Sequence, residues 1–340
     1  MQKNPKQIWF YREGRFYQRR YHFQYGHFTR DALLFIFWYM HKAKMLNNKD
    51  WEVVIHQNGY KYKKSFIDFV TSIFPNVRFS KAGKKIPKGV RIMKYAPHHF
   101  KRFFNEYRNR WKMRRDERFN HFVKYIIDKF RDYCFKQLNF VPQKKKRLLY
   151  VPRINPETRS NKTKNPYTGS QRYYNRFIDD EQFELELKRW CNDNNYEYLM
   201  WQNCAEIPIL DQIKTYAESD IIIGPTGTDW TNSYYCDEST LLIEVIPPEE
   251  YHPGGMCETF DSPDQREAIK KNIYNKFPRG WNVNTACKRN LKIIYALDTD
   301  IWRPKDGGRG KKINMLLSKE NKQDIINYMN DHVSLSKTKS

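Results

Sequence analysis

A histidine and an aspartate four residues apart open the chemistry of this chain. The stretch Gln24-Tyr25-Gly26-His27-Phe28-Thr29-Arg30-Asp31 runs into an apolar segment with helical character. With His27 in the first helical turn, His27 and Asp31 share one face. An imidazole beside a carboxylate is a general-base pair suited to deprotonating a hydroxyl. The nearby helix N-terminus also favours negative charge. An HxxxD spacing is common, and an ordinary structural pair is the competing reading.

A second group of residues suits anion binding. Ile221-Ile222-Ile223-Gly224-Pro225-Thr226-Gly227-Thr228-Asp229-Trp230-Thr231-Asn232 reads as an apolar strand turning through glycine into a helix. Such a turn presents backbone N–H groups to a phosphate. Gly227 permits close approach, and the hydroxyls of Thr228 and Thr231 add donors. An isolated strand–helix turn with no ligand fits the same residues. Arg153 follows the strand Arg147–Val151, at the edge where open α/β sheets bind ligands, and Arg172 and Arg176 follow a polar loop. Arginines there would neutralise a diphosphate leaving group, or form surface ion pairs. Glu244, inside the apolar run Leu241–Ile246, is expensive to bury without partners. It would hold ribose hydroxyls or cap backbone donors. A rival signal is Asp298-Thr299-Asp300 after the strand Leu291–Ala296, a pattern able to hold Mg or Mn through oxygen ligands. It arises easily by chance and lies late in the chain, so no metal is expected.

The elements that must position these residues alternate. Residues 32–45 read as a buried helix, Trp51–His56 as a strand, Lys64–Ile73 as a helix stopped by Pro75, Val90–Tyr95 as a strand, and 98–138 as helical but crowded with Arg and Lys. Then come the strand Arg147–Val151, a long polar loop over 152–170, helix 181–192, strand 196–200, helix 207–217, strand 220–223, a helix starting near Thr228–Thr231, strand 241–246, strand 291–296 and a closing amphipathic helix over 314–333. This alternation predicts an α/β fold with a doubly wound nucleotide-binding part.

Charge divides the chain in the same way. Residues 1–146 hold 35 Lys and Arg against 10 Asp and Glu, whereas residues 147–340 hold 27 against 28. A half this basic attracts polyanions such as nucleic acid, anionic lipid or acidic glycans, or is simply a solvated surface. The 24 Tyr, 22 Phe and 9 Trp supply enough apolar area for packed cores despite the hydrophilic average. Six cysteines without CxxC spacing argue against zinc and fit free thiols. Residues 1–20 have no signal-peptide pattern, and the longest apolar run, 32–40, is far short of a membrane span. The chain as given is expected to be soluble or cytoplasmic.

Taken in order, the blocks resemble glycosyltransferase family 61, inverting enzymes of the GT-B type. The family pattern Asn-x-x-His-x-x-x-Asp/Glu is matched at His27 and Asp31, with Gln24 in place of Asn. Its strand-terminal Ser-Arg is matched by Pro152-Arg153, and its later arginine by Arg172. Its acidic-Gln step is matched by Asp211-Gln212. Its His-Gly-Ala-x-Leu-Thr-Asn block corresponds to Thr226 through Asn232, with Thr226 in place of His and Thr228 in place of Ala. Its closing Glu–apolar pair–Pro is matched by Glu244 through Pro247.

The resemblance implies a GT-B fold of two Rossmann-like domains facing a cleft. The expected division is 1–146 as a basic acceptor-binding domain, 147–310 as the nucleotide-sugar domain, and 311–340 as a C-terminal helix and tail. It further implies an inverting transfer from a nucleotide-sugar, UDP-sugar favoured, to a glycan or glycoconjugate hydroxyl, an acceptor that the basic half would suit if anionic or membrane-associated. Asp31 assisted by His27 would be the base. Arg153, Arg172, Gly227, Thr228, Thr231, Asn232, Glu244 and Gln212 would bind the donor, with no metal and no other cofactor. Two alternatives stand beside it. One is a nucleic-acid-binding protein using the aromatic and basic stretch 102–118. The other is an inactive glycan-binding relative.

Overall fold

The structure is a computed structural model that describes residues 5–12, 29, 33–57, 64–81, 84–95, 117–154, 162–164, 171–173, 176–202, 207–246, 290–296, 298–302 and 312–337. The chain divides into two compact units, Met1–Val141 with Pro208–Leu210, and Pro142–Ile207 with Asp211–Ser340. Each unit contains its own parallel sheet flanked by helices, so the α/β expectation holds.

The first unit runs β1 (Lys6–Arg12), α1 (Leu34–Lys42), β2 (Trp51–Ile55), α2 (Lys64–Ile73), β3 (Val77–Phe79), β4 (Arg91–Tyr95) and α3 (Glu117–Gln137). Its sheet has the order β3-β2-β1-β4, all parallel. Parallel strands are covered on both faces and read as continuous apolar runs. Accordingly Ile8, Trp9 and Phe10 of β1 and Val53, Val54 and Ile55 of β2 are fully buried. β1 has no counterpart among the sequence-based expectations. Lys6, Gln7 and Arg12 make its ends look like surface chain, and only pairing on both sides makes it a central strand. α1 is buried almost all round, and its Phe37 ring lies 5.3 Å from Phe130 and 5.6 Å from Tyr133 of α3. In α2, Phe66, Phe69, Val70 and Ile73 form one apolar stripe against the core.

The second unit runs β5 (Arg147–Tyr150), β6 (Lys162–Lys164), β7 (Gln171–Tyr173), β8 (Arg176–Phe177), α4 (Glu181–Asn194), β9 (Glu197–Met200), α5 (Ile209–Glu218), β10 (Ile221–Pro225), a 3-10 helix (Thr228–Tyr235), β11 (Leu241–Ile246), β12 (Leu291–Tyr295), β13 (Asp298–Trp302), β14 (Lys312–Leu316) and α6 (Lys319–Lys337). Its main sheet has the order β12-β11-β10-β5-β9, all parallel. In chain order this is a 2-1-3-4-5 sheet, a doubly wound arrangement whose topological switch lies between β5 and β10.

Side chains alternate between the two faces of this sheet. Leu148, Tyr150, Ile221, Ile223, Leu241 and Ile243 join one core with Phe183 and Leu187 of α4 and Ile325 and Met329 of α6. Leu149, Val151, Ile222 and Leu242 join the other with Tyr216 of α5 and Trp230. α4 starts where the Asp180 carboxylate accepts from the Phe183 N–H at 2.9 Å, and ends at Asn195 in the left-handed region. The Trp190 indole donates to Asn330 Oδ1 at 2.8 Å and Lys322 pairs with Asp180 at 2.8 Å, tying α4 to α6.

Three expectations are corrected here. The polar loop over 152–170 contains β6, which pairs antiparallel with β7. The helix expected over 314–333 is two elements. β14 pairs with β13 and β8, and a helix begins only after Ser318, whose Oγ accepts from the Asn321 N–H at 3.1 Å. The helix expected near Thr228 is a 3-10 helix. Among the described residues no helix is long and apolar enough to cross a membrane.

Candidate functional site

In a 2-1-3-4-5 sheet the ends of the strands flanking the switch are the natural ligand edge. Here those ends are Val151-Pro152-Arg153 after β5 and Thr226-Gly227 after β10. β5 and β10 run side by side, Tyr150 opposite Ile223, and the Val151 N–H donates to the Ile223 carbonyl at 2.9 Å. Gly224 keeps this approach open, because a Cβ there would stand 3.0 Å from the Val151 carbonyl oxygen.

Arg153 is the most constrained residue of this edge. Its backbone is left-handed, with φ 64, a region that costs a non-glycine residue about 1 kcal/mol. The turn throws its side chain back toward β10, where it is buried. There Nε donates to Asp229 Oδ2 at 2.8 Å and Nη1 donates to the Thr226 carbonyl at 3.0 Å. The head lies directly on Gly227, where a Cβ would come within 2.0 Å of Nη2. Gly227 itself adopts φ 157 and ψ −166, a region nearly closed to other residues. The close approach that Gly227 permits in this structure is therefore that of the Arg153 guanidinium.

The 3-10 helix is anchored from below. The Trp230 indole donates to the Pro225 carbonyl at 2.9 Å. Asn232 Nδ2 donates to Gln212 Oε1 at 2.8 Å, and Gln212 Nε2 donates to the Ile207 carbonyl at 2.7 Å. Gln212, Thr231 and Asn232 are all buried, so two of the predicted donor ligands join the 3-10 helix to α5. Among the described residues, two buried polar atoms of this region, Oγ1 of Thr226 and Oδ1 of Asn232, meet no hydrogen-bond partner. Val151, Tyr216, Gly224, Pro225, Asp229 and Trp230 line a narrow crevice at this edge. Glu244 is buried within β11, opposite Gly224 of β10 and Ile293 of β12.

Arg172 stands in β7 opposite Thr163, and Arg176 in β8 opposite Ile313. Thr228 opens the 3-10 helix. Asp298 and Asp300 lie within β13, opposite Leu316 and Asn314 of the β13–β14 hairpin. They are part of a paired strand of their own. His27 and Asp31 lie outside the described residues.

Asp229 escaped the sequence reading. An aspartate in a turn reads as solvated, and its one signal was an opposite charge 76 residues earlier at a neighbouring strand end.

A second polar cluster occupies the opposite, amino-terminal edge of the same sheet. Asp220, just before β10, accepts from the Tyr196 hydroxyl at 2.5 Å, with His332 Nε2 of α6 at 3.2 Å and Lys144 Nζ at 3.9 Å. Burial pushes the Asp220 carboxyl up, but the close His332 imidazole, the hydrogen bond from Tyr196 and the Lys144 charge outweigh that, leaving it below the ordinary value. Burial drives the Tyr196 hydroxyl far up, reinforced by Asp220. Lys144 also donates to the Ser219 carbonyl at 2.7 Å, and burial draws its ammonium down. This cluster sits away from the ligand edge and fastens α6 to the sheet.

The family model described as Glycosyltransferase 61 matches residues 25–243, a span that takes in the edge around Arg153 and Gly227. A comparison with curated proteins finds no match. The family match covers more than half of the chain and takes in the arginine fixed at the switch point of a doubly wound sheet, and it places the protein in a family of sugar-transferring enzymes: the chain belongs to glycosyltransferase family 61.

Proposed function

We propose that the protein is an inverting, metal-independent glycosyltransferase of the GT-B type. It takes a nucleotide-sugar, UDP-sugar favoured, and glycosylates a hydroxyl of a glycan or glycoconjugate. The observation that carries this reading is the guanidinium of Arg153, held at the switch point of the second unit's sheet against Gly227. That is where a doubly wound domain receives a nucleotide diphosphate, and a fixed cation there stabilises the charge that grows on the leaving group.

In this reading the second unit binds the donor, Arg153 and Arg172 face the diphosphate, and Glu244 belongs to the nucleoside end. The first unit supplies the acceptor site and the base. The acceptor hydroxyl gives its proton to Asp31, assisted by His27. Its oxygen bonds to the anomeric carbon as the bond from that carbon to the diphosphate oxygen breaks, and the nucleoside diphosphate departs. One displacement inverts the anomeric centre.

The test is a thermal-shift panel of UDP, GDP, CMP, dTDP and their common sugars, with Mn or with EDTA. A ligand present at 100 times its Kd stabilises the fold by about 2.7 kcal/mol, a readily measured rise in Tm. One nucleotide should stabilise the wild type equally in both buffers and lose its effect in Arg153→Ala. Stabilisation that requires Mn and disappears in Asp298→Ala would move the donor site to β13. Silence across the panel would favour a protein that binds glycans without transferring sugar.

A further inference from the structure

Arg153 is held more elaborately than a salt link between two strand ends requires. Its backbone takes a left-handed conformation. Its planar head is fixed along two edges, Nε by Asp229 and Nη1 by the Thr226 carbonyl. The residue beneath it has no side chain, and any Cβ there would collide with both terminal nitrogens, at 2.0 Å from Nη2 and 2.3 Å from Nη1. The pair is largely withdrawn from water, with the Arg153 side chain 8% and the Asp229 side chain 16% exposed. A withdrawn ion pair is a poor way to gain stability, since apolar residues of similar volume serve as well or better. It is a good way to fix the plane of a fork-shaped cation.

We infer that Asp229 is a positioning residue for Arg153. It sets the orientation in which the guanidinium meets the anionic part of the donor, and so governs discrimination between a nucleoside diphosphate and the bare nucleoside. The inference rests on the donor reading above. Asp229 need not touch the ligand; it acts through the Arg153 head, whose second anchor, the Thr226 carbonyl, belongs to the same turn. Thr226, Gly227 and Asp229 are thus one device. The carbonyl and the carboxylate fix the plane, and the glycine leaves room for it.

The experiment measures UDP and uridine binding by calorimetry for the wild type, Asp229→Asn, Asp229→Glu, Arg153→Lys, Arg153→Ala and the double variant Asp229→Asn/Arg153→Ala, with GDP, CMP and dTDP as further probes. Asp229→Asn keeps the size of the side chain and removes its charge. It should weaken UDP about tenfold while leaving uridine unchanged, and should have no further effect once Arg153 is alanine. Asp229→Glu should bind UDP better than Asp229→Asn does. Arg153→Lys keeps the charge and loses the fork, so it too should weaken UDP about tenfold. It remains informative if Asp229→Asn does not fold.

Equal UDP affinity in Asp229→Asn and wild type, with Arg153→Ala weakened, overturns the inference and leaves the donor reading standing. Tighter UDP binding in Asp229→Asn also overturns it, because Asp229 would then compete with the ligand. So does an equal loss in both Arg153 backgrounds, since Asp229 would then act independently of Arg153, and so does wild-type affinity in Arg153→Lys. A wild type that binds no member of the panel overturns the donor reading, and this inference with it.

Discussion

Asp220 shows how one side chain can fasten several segments. Its carboxylate takes the Tyr196 hydroxyl and stands against His332 and Lys144, which belong to the approach to β9, to α6 and to the approach to β5. Because the folded carboxyl titrates below its ordinary value, the folded state binds fewer protons than the unfolded chain between the two pKa values. Stability therefore rises with pH there. The contribution is fully present above the unfolded carboxylate value of about 3.9 and is lost as pH falls through the depressed folded value. Urea unfolding of the wild type and of Asp220→Asn, followed from pH 7 to pH 3, should show this directly. The variant should be weaker at pH 7 by on the order of 2–3 kcal/mol, and the gap should stay constant down to about pH 4 and narrow below it as the folded carboxyl takes up its proton. A gap independent of pH would mean that Asp220 acts through packing alone.

At the scale of elements, the switch-point edge depends on two strands ending at the same level and on Gly227 leaving space between them. Gly227→Ala introduces a Cβ within 2.0 Å of the Arg153 head and places a side chain in a backbone region that tolerates one poorly. The guanidinium must leave, and the buried pair with Asp229 breaks. The expected loss is on the order of 3 kcal/mol by chemical denaturation. In an Arg153→Ala background only the backbone part remains, on the order of 1 kcal/mol. Equal losses in both backgrounds would show that the conformation of Gly227, not the room it leaves, is what matters.

The same edge marks how far the sequence could be read. β5, β10, β11 and β12 are predominantly apolar, and α2, α4 and α5 carry clear stripes, so their types were legible from period and composition. β1 was hidden by its polar ends. β14 was hidden because its residues Lys312–Leu316 run without a break into those of α6, and only pairing with β13 and β8 separates them. Of the candidate site, Arg153 and Gly227 were legible as a strand-end arginine and a turn glycine. Their mutual contact was not, because it depends on φ 64 at Arg153 and on a carboxylate that reads as surface. Gln212 and Asn232 were legible as neighbours of the edge, but their hydrogen bond turns both toward the scaffold.

At the scale of the whole molecule, charge is the strongest asymmetry. Residues 1–146 carry 35 Lys and Arg against 10 Asp and Glu, whereas residues 147–340 are balanced at 27 against 28. If the basic half meets the acceptor and the balanced half meets the donor, the two substrates must respond differently to salt. The Debye length falls from about 10 Å at 0.1 M to about 3 Å at 1 M, so attraction summed over many dispersed cations is screened early. A single fixed arginine beside a bound diphosphate is screened late. Transfer to a short uronic acid oligosaccharide should therefore show a KM that rises about tenfold between 50 and 300 mM NaCl. The carboxyl-reduced, neutral oligosaccharide should show little change, and UDP affinity should move by less than about threefold. Equal KM values for the two acceptors at 50 mM NaCl would remove the case for an anionic acceptor and leave the basic half as a solvated surface. Single-stranded RNA added as a competitor separates the remaining alternative. Inhibition that disappears with salt and ignores sequence is what any cationic surface gives, whereas inhibition that depends on sequence would make nucleic acid the partner of residues 1–146.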